Sequence, residues 1–124
     1  MAVKKGLSSV QRTLRACREQ GRFVDKVEWW NSYAMRRIDP FNFIDIIAID
    51  TDAIVAVQAC AGSSHAEHKR KILNNEYACA WVKTGNKVEL WSWSKRKKFR
   101  GSKLLTWTPR VENVTIEDFE SKDS

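Results

Sequence analysis

The sequence lacks the features that would place this protein in a membrane or outside the cell. No apolar run approaches the roughly 20 residues that a membrane-spanning helix requires. Residues 1–9 lack the apolar core of a signal peptide. The three cysteines are an odd number, which argues against a disulfide framework. We therefore expect free thiols, a cytoplasmic location and no membrane partner.

The sequence also lacks internal repeats and the motifs of sequence-specific nucleic-acid readers, namely zinc fingers, helix-turn-helix units and RNA-recognition motifs. Its 124 residues suffice for one domain with a real core, but not for two. We expect a single domain over residues 1–124, with a flexible basic arm at 1–6 and a polar tail at 120–124.

Positive charge is what the chain has in excess. It contains 22 Lys and Arg residues against 15 Asp and Glu residues, which gives a net charge of +7. Such an excess on a small domain favours a polyanionic partner, of which nucleic acid is the simplest. The alternative is that the charge only keeps the surface solvated, since many basic proteins bind no nucleic acid.

Two short apolar runs, residues 43–49 and 54–60, flank a polar turn and predict two neighbouring buried strands. Each run carries one polar residue where an aliphatic residue would pack better, Asp45 in the first and Gln58 in the second. An unpaired carboxylate in an apolar setting is costly, so we expect Asp45 to meet a cation or a metal ion. Their separation, 58 − 45 = 13 positions, suits two strands of a hairpin that meet at the same height.

The flanking sequence predicts further helices and strands around this pair. Ser8 with Gln11 forms a capping-box pattern, and Ser63 or Ser64 can cap a second helix. The predicted elements are a helix from Ser8 to Gly21, a strand at 23–30, a connector at 31–37, a helix at 63–83 that breaks at Asn74-Asn75, and strands at 87–93 and 104–111. This order predicts an α/β fold, a mixed β-sheet flanked by helices.

The residues of the central stretch also resemble a known family. Asp39-Pro40-Phe41-Asn42-Phe43-Ile44-Asp45, followed by Val57-Gln58-Ala59-Cys60, resembles the catalytic core of the PD-(D/E)XK nuclease superfamily, in particular small phage-type and archaeal Holliday-junction-resolvase-like endonucleases. In that pattern an Asp lies in the second core strand and an acid-x-Lys triplet in the third. Asp45 matches the Asp, and Gln58-Ala59-Cys60 occupies the triplet, with Gln58 in place of the acid and Cys60 in place of the lysine.

The resemblance implies a fold, an activity and a partner. The fold is the restriction-endonuclease-like αβββαβ core, and the activity is metal-dependent hydrolysis of phosphodiester bonds in DNA, either duplex or branched as in Holliday junctions. Resolvases of this kind act as two-fold dimers, so the resemblance also implies a homodimer. A phage-encoded member would work in the cytoplasm of the host.

A divalent ion, Mg²⁺ or Mn²⁺, supplies a nucleophilic water and neutralises the phosphate in such reactions. Asp45 can contribute a carboxylate ligand and Gln58 a neutral side-chain oxygen. The resemblance adds the carbonyl of Ala59 as a ligand and Glu28 as a further acid. A salt bridge is the alternative for Glu28, and a core amide bonded to backbone is the alternative for Gln58.

Because Cys60 cannot carry a positive charge, an active enzyme needs a substitute for the lysine. Lys69, Lys71 and His68 follow the third strand and are the candidates, with the resemblance pointing to Lys71 and to His68. The alternative is that the basic residues form a solvated helix face. In that case we expect a catalytically inactive nucleic-acid-binding domain on the same fold.

A basic segment at residues 95–103 is the second functional candidate. Tryptophans surround it, and aromatic rings can stack on unpaired bases while cations neutralise phosphates. We expect Trp91 or Trp93 to be core, and the alternative for the segment is a solvated hairpin tip. The candidate nucleic-acid-binding residues are Arg36, Arg37, His68, Lys95, Arg96, Lys97, Lys98, Arg100 and Lys103.

A structural zinc site is a further alternative, because Cys60, His65, His68 and Cys79 are of the residue types that bind zinc. Cys79 follows His68 by 79 − 68 = 11 residues, about 16 Å along a continuous helix. A single tetrahedral site would therefore require the chain to turn between the two residues. Nothing in the sequence orients Cys60 as the activated nucleophile of a hydrolase.

Overall fold

A five-stranded mixed sheet with helices on both faces forms the body of the protein in a computed structural model, which describes residues 6–122. The helices are α1 Ser9–Glu19, α2 His65–Leu73, α3 Glu76–Lys83 and α4 Ile116–Lys122. The strands are β1 Phe23–Lys26, β2 Trp29–Asn31, β3 Arg36–Ile38, β4 Ile46–Ile49, β5 Ile54–Ala61, β6 Lys87–Lys97 and β7 Leu105–Val114. The predicted α/β class and mixed sheet are confirmed.

The strands of the main sheet are in the order β1-β4-β5-β6-β7, and β2 and β3 form a separate hairpin. Neighbouring strands are antiparallel except β5 and β6, which are parallel. A parallel pair needs a crossover connection, and α2 and α3 provide it here. The order of helix, three sheet strands, helical crossover and two strands is the order that the sequence predicted.

The central strand β5 separates two hydrophobic clusters, which explains why its sequence is apolar on both sides. Val55 and Val57 pack with Cys17 of α1 and with Trp91 and Trp93 of β6. The other face of β5 carries Ala56 and Cys60, which belong to the cluster beneath α2 and α3. Both tryptophans that were candidates for the core are buried.

Local capping residues set several helix ends. The Ser8 hydroxyl accepts from the Gln11 amide at 3.2 Å, and the Gln11 side chain accepts from the Ser8 amide at 2.9 Å, so the predicted capping box is confirmed. Asn75 caps α3, which ends the helix before it as the Asn74-Asn75 pair predicted. The predicted cap of α2 was wrong. A 3₁₀ turn over Gly62–Ser64 precedes this helix, and the Ser64 side chain makes no capping hydrogen bond.

The segment between β1 and β4 differs from the prediction of one long strand and a connector. β1 ends at Lys26, and the chain then forms the β2–β3 hairpin. The Asn31 side chain accepts from the amides of Tyr33 and Ala34, and Met35 adopts a positive φ of 55°. Asn commonly starts turns in this way, but a turn of this kind cannot be predicted from hydrophobic periodicity.

The C-terminal part also differs in detail. β6 extends to Lys97, so residues 95–97 lie in a strand rather than in a loop. The predicted tail at 120–124 is wrong as far as Lys122, because α4 continues to that residue. Residues 1–5 of the predicted arm and residues 123–124 lie outside the described residues. Within residues 6–122, no helix combines the length and apolar character needed to cross a lipid bilayer.

Candidate functional site

Asp45 lies at the point where β4 begins, bonded to strands on both sides. Its amide donates to the Val57 carbonyl at 3.0 Å, and its carbonyl accepts from the Val27 amide at 3.0 Å. The last ladder pair is Ile46 with Val57, and the Asp45 amide also bonds the Val57 carbonyl, so Val57 rather than Gln58 is its backbone partner on β5. The ladder therefore ends before the pair of Asp45 and Gln58 that the 13-residue separation predicts.

The Asp45 carboxylate bonds a backbone amide of β5, as a carbonyl of a neighbouring strand would. Its Oδ2 accepts from the Ala59 amide at 2.9 Å, so the side chain lies alongside β5 and is fixed there. In an extended strand the N–H and C=O of one residue point to the same side. The Ala59 carbonyl therefore points toward the side on which Asp45 lies, as the predicted ligand set requires.

Three acids interact around this position. Burial raises the pKa of Asp45 to about 7, and the charges of Glu28 and Asp39 raise it further against the opposing effect of the Ala59 hydrogen bond. Burial, together with the charge of Glu28, also raises the pKa of Asp39. Burial and mutual repulsion thus oppose ionisation of these carboxyl groups, and a bound cation would offset the repulsion.

Glu28 pairs with a cation of the β2–β3 hairpin. Its side chain is 10 % exposed and its Oε1 lies 2.9 Å from Arg37 Nη1, which is the salt bridge given above as the alternative for Glu28. Its charge also acts on Asp45, so it belongs to the acid cluster as well. Glu28 lines a cleft of about 520 Å³ with Lys26, Arg37 and residues near the start of α1, whereas neither Asp45 nor Gln58 lines that cleft.

Gln58 carries an unsatisfied polar atom. The side chain is buried in the middle of β5, and its Oε1 has no hydrogen-bond partner. The alternative of a core amide whose oxygen bonds to backbone is therefore not what the structure has. An orphaned buried acceptor costs roughly 1–3 kcal/mol, which makes Gln58 an expensive choice for a purely structural position.

Cys60 follows Gln58 on the same side of β5. Burial raises the pKa of its thiol to about 11, and the charge of Asp45 contributes. The thiol is therefore neutral near pH 7, neither a cation nor a thiolate nucleophile. Its electrostatic interaction with Asp45 also indicates that the position of the missing lysine adjoins the acid cluster.

The structure pairs both candidate lysines of α2 with other acids. Lys69 Nζ lies 2.6 Å from Glu112 Oε2, and Lys71 Nζ lies 3.3 Å from Glu67 Oε1 within the helix. His68 has a buried Nδ1 without a partner, and burial, with a contribution from Lys71, lowers its pKa. The structure therefore does not assign the role of the missing lysine to either Lys69 or Lys71.

A buried network that the sequence did not predict joins α2 to the sheet. His65 Nδ1 lies 2.7 Å from Ser92 Oγ, and its Nε2 lies 2.7 Å from Glu112 Oε1. Burial alone would raise the pKa of Glu112, but hydrogen bonds from Lys69 and His65 hold it below its ordinary value. An ionised carboxylate only accepts, so His65 Nε2 donates to Glu112.

Hydrolases use a similar order of hydroxyl, imidazole and carboxylate. Here Ser92 is only 2 % exposed and lies within β6, so the network acts as a clamp that fixes the start of α2. Sequence reasoning considered His65 only as a zinc ligand. Its partners lie 27 and 47 residues away, so no local pattern reports them.

The predicted basic residues form the far end of the β6–β7 hairpin. Lys95, Arg96 and Lys97 end β6, and the other cations lie in the connection to β7, all of them exposed. Lys95 Nζ lies 5.4 Å from the centre of the Trp107 ring. The long hairpin therefore presents cations beside an exposed aromatic ring.

The β2–β3 hairpin adds a second exposed aromatic surface. Trp29 and Trp30 are each about half exposed, and Tyr33 at the turn is 98 % exposed. Arg36 and Arg37, two of the predicted nucleic-acid-binding residues, are both exposed in this hairpin, and Arg37 pairs with Glu28. Through that pair the hairpin is joined to the acid cluster.

Within residues 6–122, no group of three or more His, Cys, Asp or Glu side chains is arranged to hold a metal ion. The zinc alternative therefore gains no support, and neither does a site built from Asp45, Glu28 and Asp39. The oxygen ligands that remain as candidates are the Asp45 carboxylate and the orphaned Gln58 oxygen, and Mg²⁺ is commonly bound through one or two carboxylates and keeps several waters.

Comparison of the chain with protein-family models, with curated proteins and with solved structures gives no match in any of the three. The family relationship therefore stays a hypothesis that rests on the residues of the chain itself.

Proposed function

We propose that this protein is a metal-dependent DNA endonuclease with the PD-(D/E)XK pattern, in which Asp45 and Gln58 bind Mg²⁺ or Mn²⁺. The observation that carries the proposal is the partnerless Gln58 oxygen, buried one residue before the Ala59 amide that holds the Asp45 carboxylate in place. A polar atom kept unsatisfied in a central strand is accounted for by a ligand that satisfies it.

The chemistry divides between the ion and the chain. When bound, the ion would make water nucleophilic and neutralise charge on the phosphate. The Ala59 amide orients the Asp45 carboxylate, and the Ala59 carbonyl points to the same side. Glu28 adds a second carboxylate near Asp45 and lines the cleft of about 520 Å³.

The two hairpins provide the DNA-binding surface in this proposal. The cations of the β6–β7 hairpin neutralise phosphates, and binding should weaken steeply with salt as counterions are released. The exposed rings of the β2–β3 hairpin suit stacking on unpaired bases, which favours branched over fully paired DNA. A two-fold dimer, which the resemblance implies, would present two such sites.

A second candidate is a DNA-binding domain without catalytic activity. Two observations favour it: the neutral Cys60 where the family pattern has lysine, and the pairing of Lys69 and Lys71 with other acids. Binding in this case would use the same hairpins, while Asp45 and Gln58 would remain as an inactive remnant.

Cleavage of branched and linear duplex DNA separates the two candidates. The assay compares wild type, Asp45→Asn and the matched control Asp25→Asn, an exposed acid of β1, with Mg²⁺, with Mn²⁺ and with EDTA. We expect metal-dependent cleavage that Asp45→Asn lowers at least 100-fold, while DNA binding and the control are unchanged. Binding without cleavage in every metal supports the second candidate, and absence of binding contradicts both.

A further inference from the structure

A cavity of about 350 Å³ lies where β6 and β7 pass the start of α2. Its lining includes two guanidinium groups, from Arg96 and Arg110, and three hydroxyls, from Ser92, Ser94 and Thr108. No carboxylate lines it, although Arg110 Nη2 lies 3.7 Å from Glu112 Oε1. The cavity is therefore lined by positive charge and by hydroxyl groups.

The strand register explains why these side chains share one space. Ser92 pairs with Arg110 and Ser94 with Thr108 across the antiparallel β6–β7 ladder. Residues two apart on a strand lie on one face of the sheet, so Ser92, Ser94 and Arg96 point the same way. The cavity is thus a product of two adjacent strands rather than of a mobile loop.

Ser92 and Gly62 determine the shape of the cavity. The Ser92 hydroxyl is buried and fixed by its bond to His65 at 2.7 Å. A Cβ atom added to Gly62 would lie 1.9 Å from Ser94 Oγ and 3.3 Å from the Trp93 carbonyl. Only glycine lets the chain pass this closely to β6, so any larger residue would displace Ser94.

We propose that this cavity binds a backbone phosphate of the DNA strand whose cleavage was proposed above, and the inference rests on that function. Guanidinium groups bind phosphate oxygens through paired, charge-assisted hydrogen bonds, and serine and threonine hydroxyls add donors. The start of α2 adds the positive end of a helix dipole.

The position suits a phosphate beside the cleavage site. Gln58 pairs with Leu90 in the parallel β5–β6 ladder, so Ser92 and Ser94 lie two and four residues further along the same direction. At about 3.3 Å per residue this is roughly 7–13 Å. A nucleic-acid strand rises about 3.4 Å per nucleotide, so the two sites are a few nucleotides apart.

The test measures DNA binding in EDTA, so that it does not depend on cleavage. Fluorescence anisotropy of a labelled branched DNA at several KCl concentrations compares wild type with Arg96→Gln, Arg110→Gln and the double variant. The matched control is Arg18→Gln, an exposed residue of α1 on the other side of the sheet. We expect roughly tenfold weaker binding per cavity arginine and a salt slope lower by about one for each, with the control unchanged.

Two uncharged or charge-conserving variants distinguish a phosphate site from general attraction. Gly62→Ala should weaken binding without changing the salt slope, because it displaces Ser94 and leaves both arginines. The double Arg→Lys variant keeps the charge but loses paired donation, so its affinity should fall while the control Arg18→Lys stays at the wild-type value. Titration with inorganic phosphate, followed by the ¹⁵N–¹H shift of Gly62, shows whether free phosphate alone occupies the cavity.

The outcomes separate this inference from the proposed function. If the double Gln variant and Gly62→Ala both bind like wild type, the inference is wrong, whether or not the protein cleaves DNA. If they lose affinity while wild type proves unable to cleave, the phosphate site stands and the nuclease proposal falls. Saturation by inorganic phosphate at low millimolar concentration, with no effect of the variants on DNA binding, assigns the cavity to free phosphate and overturns the DNA assignment.

Discussion

Replacing Asp45 by Asn should stabilise the folded protein in neutral and alkaline solution. Asn keeps an oxygen that can accept from the Ala59 amide, as Asp45 Oδ2 does at 2.9 Å, but it cannot ionise. The substitution therefore removes the electrostatic cost of a charge that burial and the neighbouring Glu28 and Asp39 oppose.

The size of the effect follows from the pKa of Asp45, which is about 7 in the folded protein against an ordinary value of 3.8. The folded state binds the proton more tightly than the unfolded chain, so stability falls as pH rises between these two values. Each unit is worth about 1.4 kcal/mol, which gives a difference of about 4 kcal/mol. Asp45→Asn should match wild type near pH 4 and exceed it by up to about 4 kcal/mol above pH 7.

Urea denaturation of wild type, Asp45→Asn and the control Asp25→Asn from pH 4 to pH 9, in EDTA, measures this difference. The free-energy gap between Asp45→Asn and wild type should widen through pH 5–7 and then level off, while the control stays flat. Added Mg²⁺ should stabilise wild type, because it binds only the folded state, and should leave Asp45→Asn unchanged. A gap that does not vary with pH would refute the reasoning, as would an Asn variant that is less stable at every pH.

Two further predictions concern other parts of the molecule. Glu89→Ala should cost about 3–5 kcal/mol in urea denaturation, because Glu89 is buried and bonded twice to Arg22 at 2.8 Å; its loss leaves Arg22 with Asp50 alone and the buried Trp91 Nε1 without an acceptor. An effect below 1 kcal/mol would contradict this. Trp30→Ala combined with Tyr33→Ala should weaken binding of DNA with unpaired bases by about 1–3 kcal/mol per stacked base, and a loss that is equal for fully paired DNA in anisotropy measurements would show that the rings do not stack.

The helix ends and the β4–β5 hairpin were predictable because they depend on residues close together in the sequence. The capping box at Ser8 and the break at Asn74-Asn75 use residues within a few positions of one another. The hairpin of β4 and β5 follows from two apolar runs and a turn. These features needed no knowledge of distant contacts.

The features that escaped prediction depend on contacts between distant residues or on side-chain turn chemistry. The clamp formed by His65 with Ser92 and Glu112 joins residues that become neighbours only when α2 packs on the sheet. The β2–β3 hairpin arises because Asn31 bonds two following amides, which interrupts a run that reads as a single strand. The cations of the α2 helix could be counted from sequence, but the pairing of Lys69 with Glu112 of β7 could not be predicted.

Several buried polar groups away from the candidate site are satisfied. Glu89 bonds Arg22, Thr13 accepts from Trp93, and His65 uses both ring nitrogens. At Gln58 the oxygen is orphaned, and Asp45, which bonds the next residue of β5, is a carboxylate whose pKa burial raises. Among the described residues only His68, on the helix that follows β5, has another buried side-chain atom without a partner. Natural chains break the rules of burial chiefly where function requires it, and for this reason the proposed metal site is built on Gln58 and Asp45.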